Sequence, residues 1–160
     1  MGTRRSDAAD GLGITRTIRF PRPLVFRAWS TAEHMRRWVC PEGMTVPVAE
    51  VDFRPGGALT LCLRTANGQE FWSRGTYSEI AAPERLAFVS TMGEPDDPKF
   101  IADTAVTFAI IAGGTEMTVR QTHDVRRPAF AAAVGAAPDA WRGALDRLER
   151  EVARIASNGR

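Results

Sequence analysis

Cysteine is scarce in this sequence, and the two cysteines it has are far apart. Cys40 and Cys62 have neither the number nor the spacing of a disulfide framework or a zinc site. We therefore expect two ordinary thiols in a reducing, cytoplasmic setting. We also expect no metal and no other cofactor.

Lysine is nearly absent, because 20 of the 21 basic residues are arginine and Lys99 is the only lysine. The 21 basic residues are spread along the chain, and 19 acidic residues nearly balance their charge. Nucleic-acid binding needs a concentrated basic face, so we exclude nucleic acid as a partner. No run approaches the roughly 18 apolar residues of a membrane span, and the N-terminus lacks the apolar core of a signal peptide. We expect no membrane association.

The length of 160 residues is enough for one domain with its own core. Residues 1–12 are polar and aperiodic, which predicts a disordered tail before a single domain over 13–157. From Ile14 to Phe20 apolar and polar residues alternate, as in a strand with one buried face. Pro21 can open a short helix, and Ser30 with Glu33 has the spacing of a capping box before a second one at about 31–37.

The middle of the chain reads as consecutive antiparallel strands, because its connections are too short for crossover helices. The loop "MGEPDDPKF" at 92–100 is rich in proline and acids and is expected to be solvated. Glu79 and Arg85 flank a turn and are expected to form a structural ion pair across it. The strands are predicted at 45–53, 58–64, 70–80, 85–91, 103–111 and 115–125.

The C-terminus changes to a helical period. Its apolar residues step by four and three positions, and charged residues fill the other face. This predicts one amphipathic helix over about 138–156, with Pro138 in its first turn. A single sheet can bury the apolar stripe of one long helix only by curling around it. We therefore predict an α+β fold in which a curved antiparallel sheet of six to seven strands wraps around the C-terminal helix, with two short helices after the first strand.

The stretch "ITRTIRFPRPLVFRAWSTAEHMRRW" followed by "CPEG" contains an arginine in the first strand, a helix-opening proline, Val-Phe-x-Ala-Trp and a Glu-x-Met-x-x-Trp helix. Together with "VDFRPGG", "GTYSEIAAPERLAF" and "WRGALDRLE", it resembles the START-like (SRPBCC) superfamily of bacterial helix-grip proteins. The closest likeness is to the group named after the activator of heat-shock-protein-90 ATPase. The four motifs occur in order over about residues 14–156.

The resemblance implies a helix-grip fold and a cavity that binds hydrophobic small molecules. A few relatives catalyse cyclisation. The eukaryotic namesake acts on its chaperone through a motif in another domain, and nothing like that motif occurs here, so we expect no chaperone interaction.

His123 is the first candidate for chemistry. In "TEMTVRQTHDV" the two-residue period places Gln121 and His123 on the face of Met117. His123 is either a polar handle or acid–base group in an apolar pocket, or a strand-end histidine bonded to nearby backbone. Tyr77 either orients a ligand or packs with its hydroxyl at the rim. The full set of expected ligand contacts is Trp38, Phe71, Tyr77, Phe88, Phe108, Met117, Gln121, His123, Trp141 and Leu145.

Three functions remain open at this point. The first is a noncatalytic protein that holds an apolar or aromatic compound between the sheet and the C-terminal helix. The second is a polyketide cyclase or hydratase that uses His123 as acid or base. The third is an interaction or stress-response module with a filled core. The chain is expected to be a monomer or a homodimer.

Overall fold

The computed structural model describes residues 11–94 and 97–158. Seven strands, three α-helices and one short 3₁₀-helix follow one another along the chain. In chain order they are β1 Gly11–Ile18, α1 Arg22–Arg27, α2 Ala32–Trp38, β2 Thr45–Val51, β3 Ala58–Arg64, β4 Glu70–Ala81, β5 Arg85–Glu94, β6 Asp97–Ile111, β7 Gly114–Val125, the 3₁₀-helix Pro128–Phe130 and α3 Ala131–Asn158.

The seven strands form one sheet in the order β1-β7-β6-β5-β4-β3-β2, and every neighbouring pair is antiparallel. Gly68 and Gly113, in the short connections β3–β4 and β6–β7, have positive φ, where only glycine is free of strain. The first strand is an exception in the order, because it pairs with the last strand, β7. Strands β1 and β2 are therefore the two edges of the sheet, and the core lies on its concave face.

Helix α3 lies across that concave face and buries one apolar stripe. The stripe has the spacing of three and four residues expected for one side of a helix. Burying such a side chain fully contributes about 1.5–3 kcal/mol, so these contacts hold the helix in the sheet. Its buried apolar residues are Leu145, Leu148, Val152 and Ile155. None of the described helices is both long enough and apolar enough to cross a membrane.

A buried carboxylate joins α2 to α3. Glu151 is only 4% exposed and accepts hydrogen bonds from His34 Nδ1 at 2.8 Å and from two nitrogens of Arg154 at 2.9 Å each. Arg37 Nε lies 3.8 Å from the same carboxylate. Burial by itself raises the pKa of Glu151, but the hydrogen bonds from Arg154 and His34 outweigh it and leave the pKa below its ordinary value.

The predicted α+β helix-grip arrangement, with seven strands and two short helices after the first, is confirmed. The expected ion pair between Arg85 Nε and Glu79 is also present, at 2.7 Å. The second short helix is capped one residue later than predicted, because the hydroxyl of Thr31 accepts the backbone N–H of His34. Ser30 instead donates to the carbonyl of Arg27.

Three predicted boundaries are wrong. The C-terminal helix begins at Ala131 rather than at about 138, and Pro138 lies inside it. Proline has a φ that suits a helix but removes one helical hydrogen bond and crowds the preceding turn, so it usually marks a helix end, whereas here the helix continues through it. The predicted loop at 92–100 is largely strand, because Met92 pairs with Phe100 and extends the β5–β6 ladder.

The third boundary is the start of the domain. Residues 11 and 12 of the predicted tail belong to β1, where Gly11 pairs with Thr122 and Leu12 with Gln121. A Cβ on Gly11 would clash with the carbonyl oxygen of Gln121, so a side chain does not fit there. Gly11, which in the sequence indicated disorder, therefore permits the close approach of β1 to β7. Residues 1–10 of the predicted tail lie outside the described residues.

Candidate ligand-binding site

A cavity of about 240 Å³ lies between the concave face of the sheet and helix α3. Its walls come from the segment after α1, from α2, from strands β3, β4, β5 and β7, and from the middle of α3. The lining residues are Trp29, Met35, Trp38, Val39, Leu59, Leu61, Leu63, Phe71, Ser73, Phe88, Ser90, Met92, Gln121, Ala140, Trp141 and Ala144. None of these lining residues, all of which lie in the described part of the chain, carries a charge.

The cavity exists because small residues meet in one row across the sheet. The strand registers place Leu59 beside Gly75, Gly75 beside Ser90, and Ser90 beside Ala102. At Gly75 a Cβ would lie 2.6 Å from the carbonyl oxygen of Val89, so the row cannot gain a side chain there. Leucine or phenylalanine at these positions would fill the space under α3. The row therefore leaves an apolar hollow at the centre of the sheet.

The cavity is closed at one end and open at the other. Trp29 and Trp38, at the closed end, are 2% and 1% exposed. Phe71 is 40% exposed, and Ala140 is exposed on the first half of α3, so these two mark the mouth. A ligand would enter between β4 and α3 and meet the tryptophans at the floor.

Three tryptophans define the floor and one wall. The ring of Trp29 stacks on Trp141 at a centroid distance of 6.2 Å and meets Trp38 edge-on at 4.6 Å. The indole N–H of Trp38 donates to the carbonyl of Ala28 at 2.9 Å, and that of Trp141 donates to Gln121 Oε1 at 3.3 Å. The buried Nε1 of Trp29 has no hydrogen-bond partner among residues 11–94 and 97–158. The protein thus satisfies two of the three indole donors.

A chain of polar side chains crosses the inner face beside the cavity. Gln121 Nε2 donates to the hydroxyl of buried Thr104 at 2.8 Å, and His123 Nε2 lies 2.7 Å from Gln121 Oε1. The indole of Trp141 can only donate, so the Gln121 atom that faces it must be the carbonyl oxygen. His123 Nε2 faces the same oxygen and must therefore carry a hydrogen.

This hydrogen-bond pattern fixes the tautomer of neutral His123. With the hydrogen on Nε2, Nδ1 carries a free lone pair. Nδ1 is buried, and within the described ranges of the chain no group donates a hydrogen bond to it. Burial also lowers the pKa of His123, so the imidazole is neutral at pH 7. His123 lies at the β7 end of the row of small residues, because it pairs with Ala102.

We expect nitrogen NMR of the purified protein to show His123 as the Nε2-protonated tautomer at pH 7. Its titration midpoint will lie below the ordinary histidine value of about 6.5. The chain has two histidines, and the variant His34→Asn assigns the signals. An Nδ1-protonated ring, or a midpoint above that ordinary value, would contradict the arrangement of Gln121, His123 and Trp141.

Half of the residues that the sequence singled out lie at the cavity wall. They are Trp38, Phe71, Phe88, Gln121 and Trp141. His123 is one hydrogen bond away from the wall, through Gln121. Ligand contact by any of these residues stays a prediction.

The other four residues lie in the packed core beyond the cavity wall. Tyr77 is 2% exposed and packs against the rings of Phe53 and Phe88 rather than at a rim. Burial raises its pKa, and its hydroxyl has no partner in the described part of the chain. Phe108 packs on Phe26 at 5.2 Å. Met117 and Leu145 are fully buried between sheet and helix.

Sequence reasoning missed most of the wall. Trp29, the small residues Ser73, Ser90, Ala140 and Ala144, and the leucines of β3 were not predicted as lining residues. For Ser90, the signal is the cross-strand alignment with Gly75 and Ala102, which is visible only once the register of each strand is known. Face assignment alone does not reveal it.

In the part of the chain that the structure describes, the cysteines and the possible metal ligands do not form a second site. Among the described residues, His, Cys, Asp and Glu side chains are not grouped as a metal ion requires. Burial raises the pKa of both Cys40 and Cys62, which disfavours the reactive thiolate. Both thiols are free, as predicted.

A curved sheet that grips one long helix, with a cavity between them, defines the helix-grip fold of the START-like superfamily. Within it, the chain belongs to the family described as Activator of Hsp90 ATPase homolog 1-like protein, whose family model matches residues 19–153. No curated protein matches the chain.

Solved structures of bacterial proteins show the same fold. A protein of Rhizobium leguminosarum is 26% identical, with a TM-score of 0.76 over 90% of this chain and 94% of its own. A protein of Chromobacterium violaceum is 24% identical, with a TM-score of 0.76 over 90% and 97%. An AHSA1-like protein of Aeromonas hydrophila is 24% identical, with a TM-score of 0.71 over 91% and 94%. These similarities establish the fold and do not identify a ligand for this chain.

Proposed function

We propose that this protein binds a small apolar or aromatic molecule in the cavity between its sheet and helix α3. The observation that carries the proposal is the combination of an uncharged wall, three tryptophans and a volume of about 240 Å³. An apolar cavity of about 150 Å³ holds one benzene ring, so this one has room for roughly two fused rings. Burial of apolar ligand surface supplies about 25 cal/mol per Å² before the costs of association.

Naphthalene is a suitable first probe, because it is apolar, neutral and of the right size. We expect the variant Trp141→Ala to raise the Kd for naphthalene about tenfold or more in equilibrium dialysis, because the ring that forms one wall is lost. The matched control is Trp72→Ala. Trp72 pairs with Cys62, next to cavity-lining Phe71 and Ser73, and so points to the opposite face of the sheet.

The control should leave the Kd unchanged. If Trp141→Ala stays folded by circular dichroism and binds naphthalene as tightly as the parent protein, the ligand does not lie where we place it. If the parent protein does not bind naphthalene or any other small apolar probe, the proposed function itself is wrong.

A second candidate is an enzyme of the cyclase or hydratase type that acts on polyketide-like substrates. The free Nδ1 of neutral His123 favours it, because a buried acceptor without a partner, one hydrogen bond behind the cavity wall, is the kind of group that acts as a base once a substrate reaches it. Turnover of an aromatic polyketide analogue that is lost in His123→Asn would support this candidate. Turnover that survives the change would remove His123 from the mechanism.

The third alternative, an interaction module, was expected to have a filled core. The cavity of about 240 Å³ therefore does not favour it. Cytoplasmic location and the oligomeric state, monomer or homodimer, stay predictions.

A further inference from the structure

Two serine hydroxyls interrupt the apolar wall that the sheet gives to the cavity. Ser73 on β4 and Ser90 on β5 both line the cavity, and both residues are half-buried, so their surface is accessible. Ser90 pairs directly with Gly75. Ser73 lies two residues before Gly75 on β4 and so shares its face of the sheet. The two serines therefore border the same gap, where Gly75 has no side chain.

The side chains next to these serines on the inner face give the hydroxyls no strong hydrogen-bond partner. Cross-strand pairing and the two-residue period of each strand identify these neighbours. They are Leu61, Phe71, Gly75, Phe88, Met92 and Ala102. None of the six has a side-chain oxygen or nitrogen, and the thioether sulfur of methionine is only a weak acceptor.

The other polar groups of the wall bond to each other or to nearby residues rather than to the serines. The indole N–H of Trp38 donates to the carbonyl of Ala28, and that of Trp141 donates to Gln121 Oε1. Gln121 Nε2 donates to the hydroxyl of Thr104. These bonds leave out both serine hydroxyls, so a bound molecule can supply the partner that the neighbouring side chains lack.

The hydroxyls are not needed to keep the hollow open. Ala102, in the same row of small residues, leaves as much space with a methyl group. Serine adds a group that both donates and accepts hydrogen bonds. A purely apolar ligand that displaces water from such a group leaves it without a partner, which weakens binding, whereas an oxygen on the ligand restores the bond. The two serines therefore select a ligand with one polar edge toward the sheet.

The charge of the wall narrows the ligand further. Among the described lining residues there is no arginine or lysine. A carboxylate or phosphate in the cavity would be desolvated without a cation, which is costly. The polar edge of the ligand is therefore uncharged.

We infer that the ligand is a neutral aromatic compound of about two rings that carries an oxygen substituent, a hydroxyl or a carbonyl, and that Ser73 and Ser90 form the site for this oxygen. The inference rests on the proposed function, because it assumes that the cavity holds a ligand. It adds the charge, the polar group and the direction of the bound molecule. The oxygen faces β4 and β5, and the rings pack against Trp141 on α3.

Two pairs of naphthalene derivatives test this inference, and the members of each pair have equal numbers of non-hydrogen atoms. In the first pair, 2-naphthol carries a hydroxyl and 2-methylnaphthalene a methyl group. In the second pair, 2-acetylnaphthalene carries a carbonyl and 2-isopropenylnaphthalene a methylene group in place of its oxygen. Equilibrium dialysis gives a Kd for each probe, and the quantity compared is the Kd of the hydrocarbon divided by the Kd of its oxygen-bearing partner.

The double variant Ser73→Ala/Ser90→Ala removes both hydroxyls and keeps the hollow open. We expect it to lower the Kd ratio about three- to tenfold in at least one pair, the effect of one hydrogen bond between neutral groups. The pair that responds distinguishes a hydroxyl from a carbonyl ligand. Binding of 2-methylnaphthalene as tightly as in the parent protein shows that the cavity of the variant is intact.

Ser78→Ala is the matched control, because it makes the same change on β4 at an exposed residue that does not line the cavity. Its ratios should equal those of the parent protein. A ratio that falls in neither pair for the double variant would overturn the inference.

The anion 2-naphthoate tests the charge, because it has as many non-hydrogen atoms as 2-acetylnaphthalene. It should bind the parent protein at least tenfold more weakly than the ketone, and equal binding would also overturn the inference. Both contrary results would leave the proposed function standing, because the probes still bind. If none of the neutral probes binds the parent protein, the inference and the proposed function fail together.

Discussion

Replacing Ala144 with leucine will lower the affinity for naphthalene at least tenfold while the protein stays folded. Ala144 lies on helix α3 at the cavity wall and is 8% exposed. The leucine side chain occupies space that the ligand needs, and a tenfold change in Kd corresponds to about 1.4 kcal/mol. Overpacking of a filled core typically costs 1–3 kcal/mol, but here the added atoms enter an existing hollow. Titration with naphthalene and thermal unfolding together measure both effects.

Ala136→Leu is the control for this variant. It makes the same chemical change on the same helix, at an exposed residue that does not line the cavity. Its Kd should match that of the parent protein. Ser90→Leu fills the same hollow from the sheet and should reproduce the loss of affinity. Unchanged affinity in both folded cavity variants would show that the ligand binds elsewhere.

The variant Glu151→Gln will lower the free energy of unfolding by about 2 kcal/mol at neutral pH. The carboxylate of Glu151 is buried and accepts three hydrogen bonds from His34 and Arg154, and hydrogen bonds to charged groups contribute about 1.5–3 kcal/mol. An amide keeps the shape but loses the charge and presents a donor to cationic neighbours. Urea unfolding followed by circular dichroism measures the change.

Glu149→Gln is the matched control on the same helix. Its carboxylate is half-exposed, and its partner Arg16 also pairs with Asp146 at 2.6 Å. Exposed ion pairs of this kind contribute about 0–1 kcal/mol. If Glu151→Gln costs no more than Glu149→Gln, the buried carboxylate does not hold α2 to α3.

The loss in Glu151→Gln will also depend on pH in a defined direction. The pKa of Glu151 is lower in the folded protein than its ordinary value of 4.5. Its contribution is therefore complete above the unfolded pKa and disappears as the pH falls through the folded pKa. The groups that face it are His34 and Arg37 from α2 and Arg154 from α3. The difference between parent and variant should shrink as the pH is lowered from 6 to 3, and a difference that grows would contradict this assignment.

The fold was predictable because local patterns decide it. The steps from Trp141 to Ile155 require one face of a helix, and the short turns between strands leave only antiparallel pairing. The errors fell where tertiary pairing overrides composition. Pro138 and the acidic segment at 92–100 both indicated breaks, yet helix α3 runs through Pro138 and the pairing of Met92 with Phe100 extends the β5–β6 ladder.

The candidate site was predictable only in part. The two-residue period correctly placed Gln121 and His123 on the inner face of β7. The hollow itself depends on Gly75, Ser90 and Ala102 aligning across three strands, which no local window of sequence contains. Trp29 and Trp38 look alike in sequence, and only the structure shows that one indole donor is satisfied and the other is not.

A native mass spectrum of the purified protein, repeated after denaturation, tests the central claim that the cavity holds a small molecule. We predict an added mass that disappears on unfolding, corresponds to a compound of about two rings, and is absent from Ala144→Leu but retained in Ala136→Leu. A bare mass for the parent protein, before and after incubation with naphthalene, would contradict the claim. An added mass that persists equally in Ala144→Leu would also contradict it, because the molecule would then lie outside the cavity.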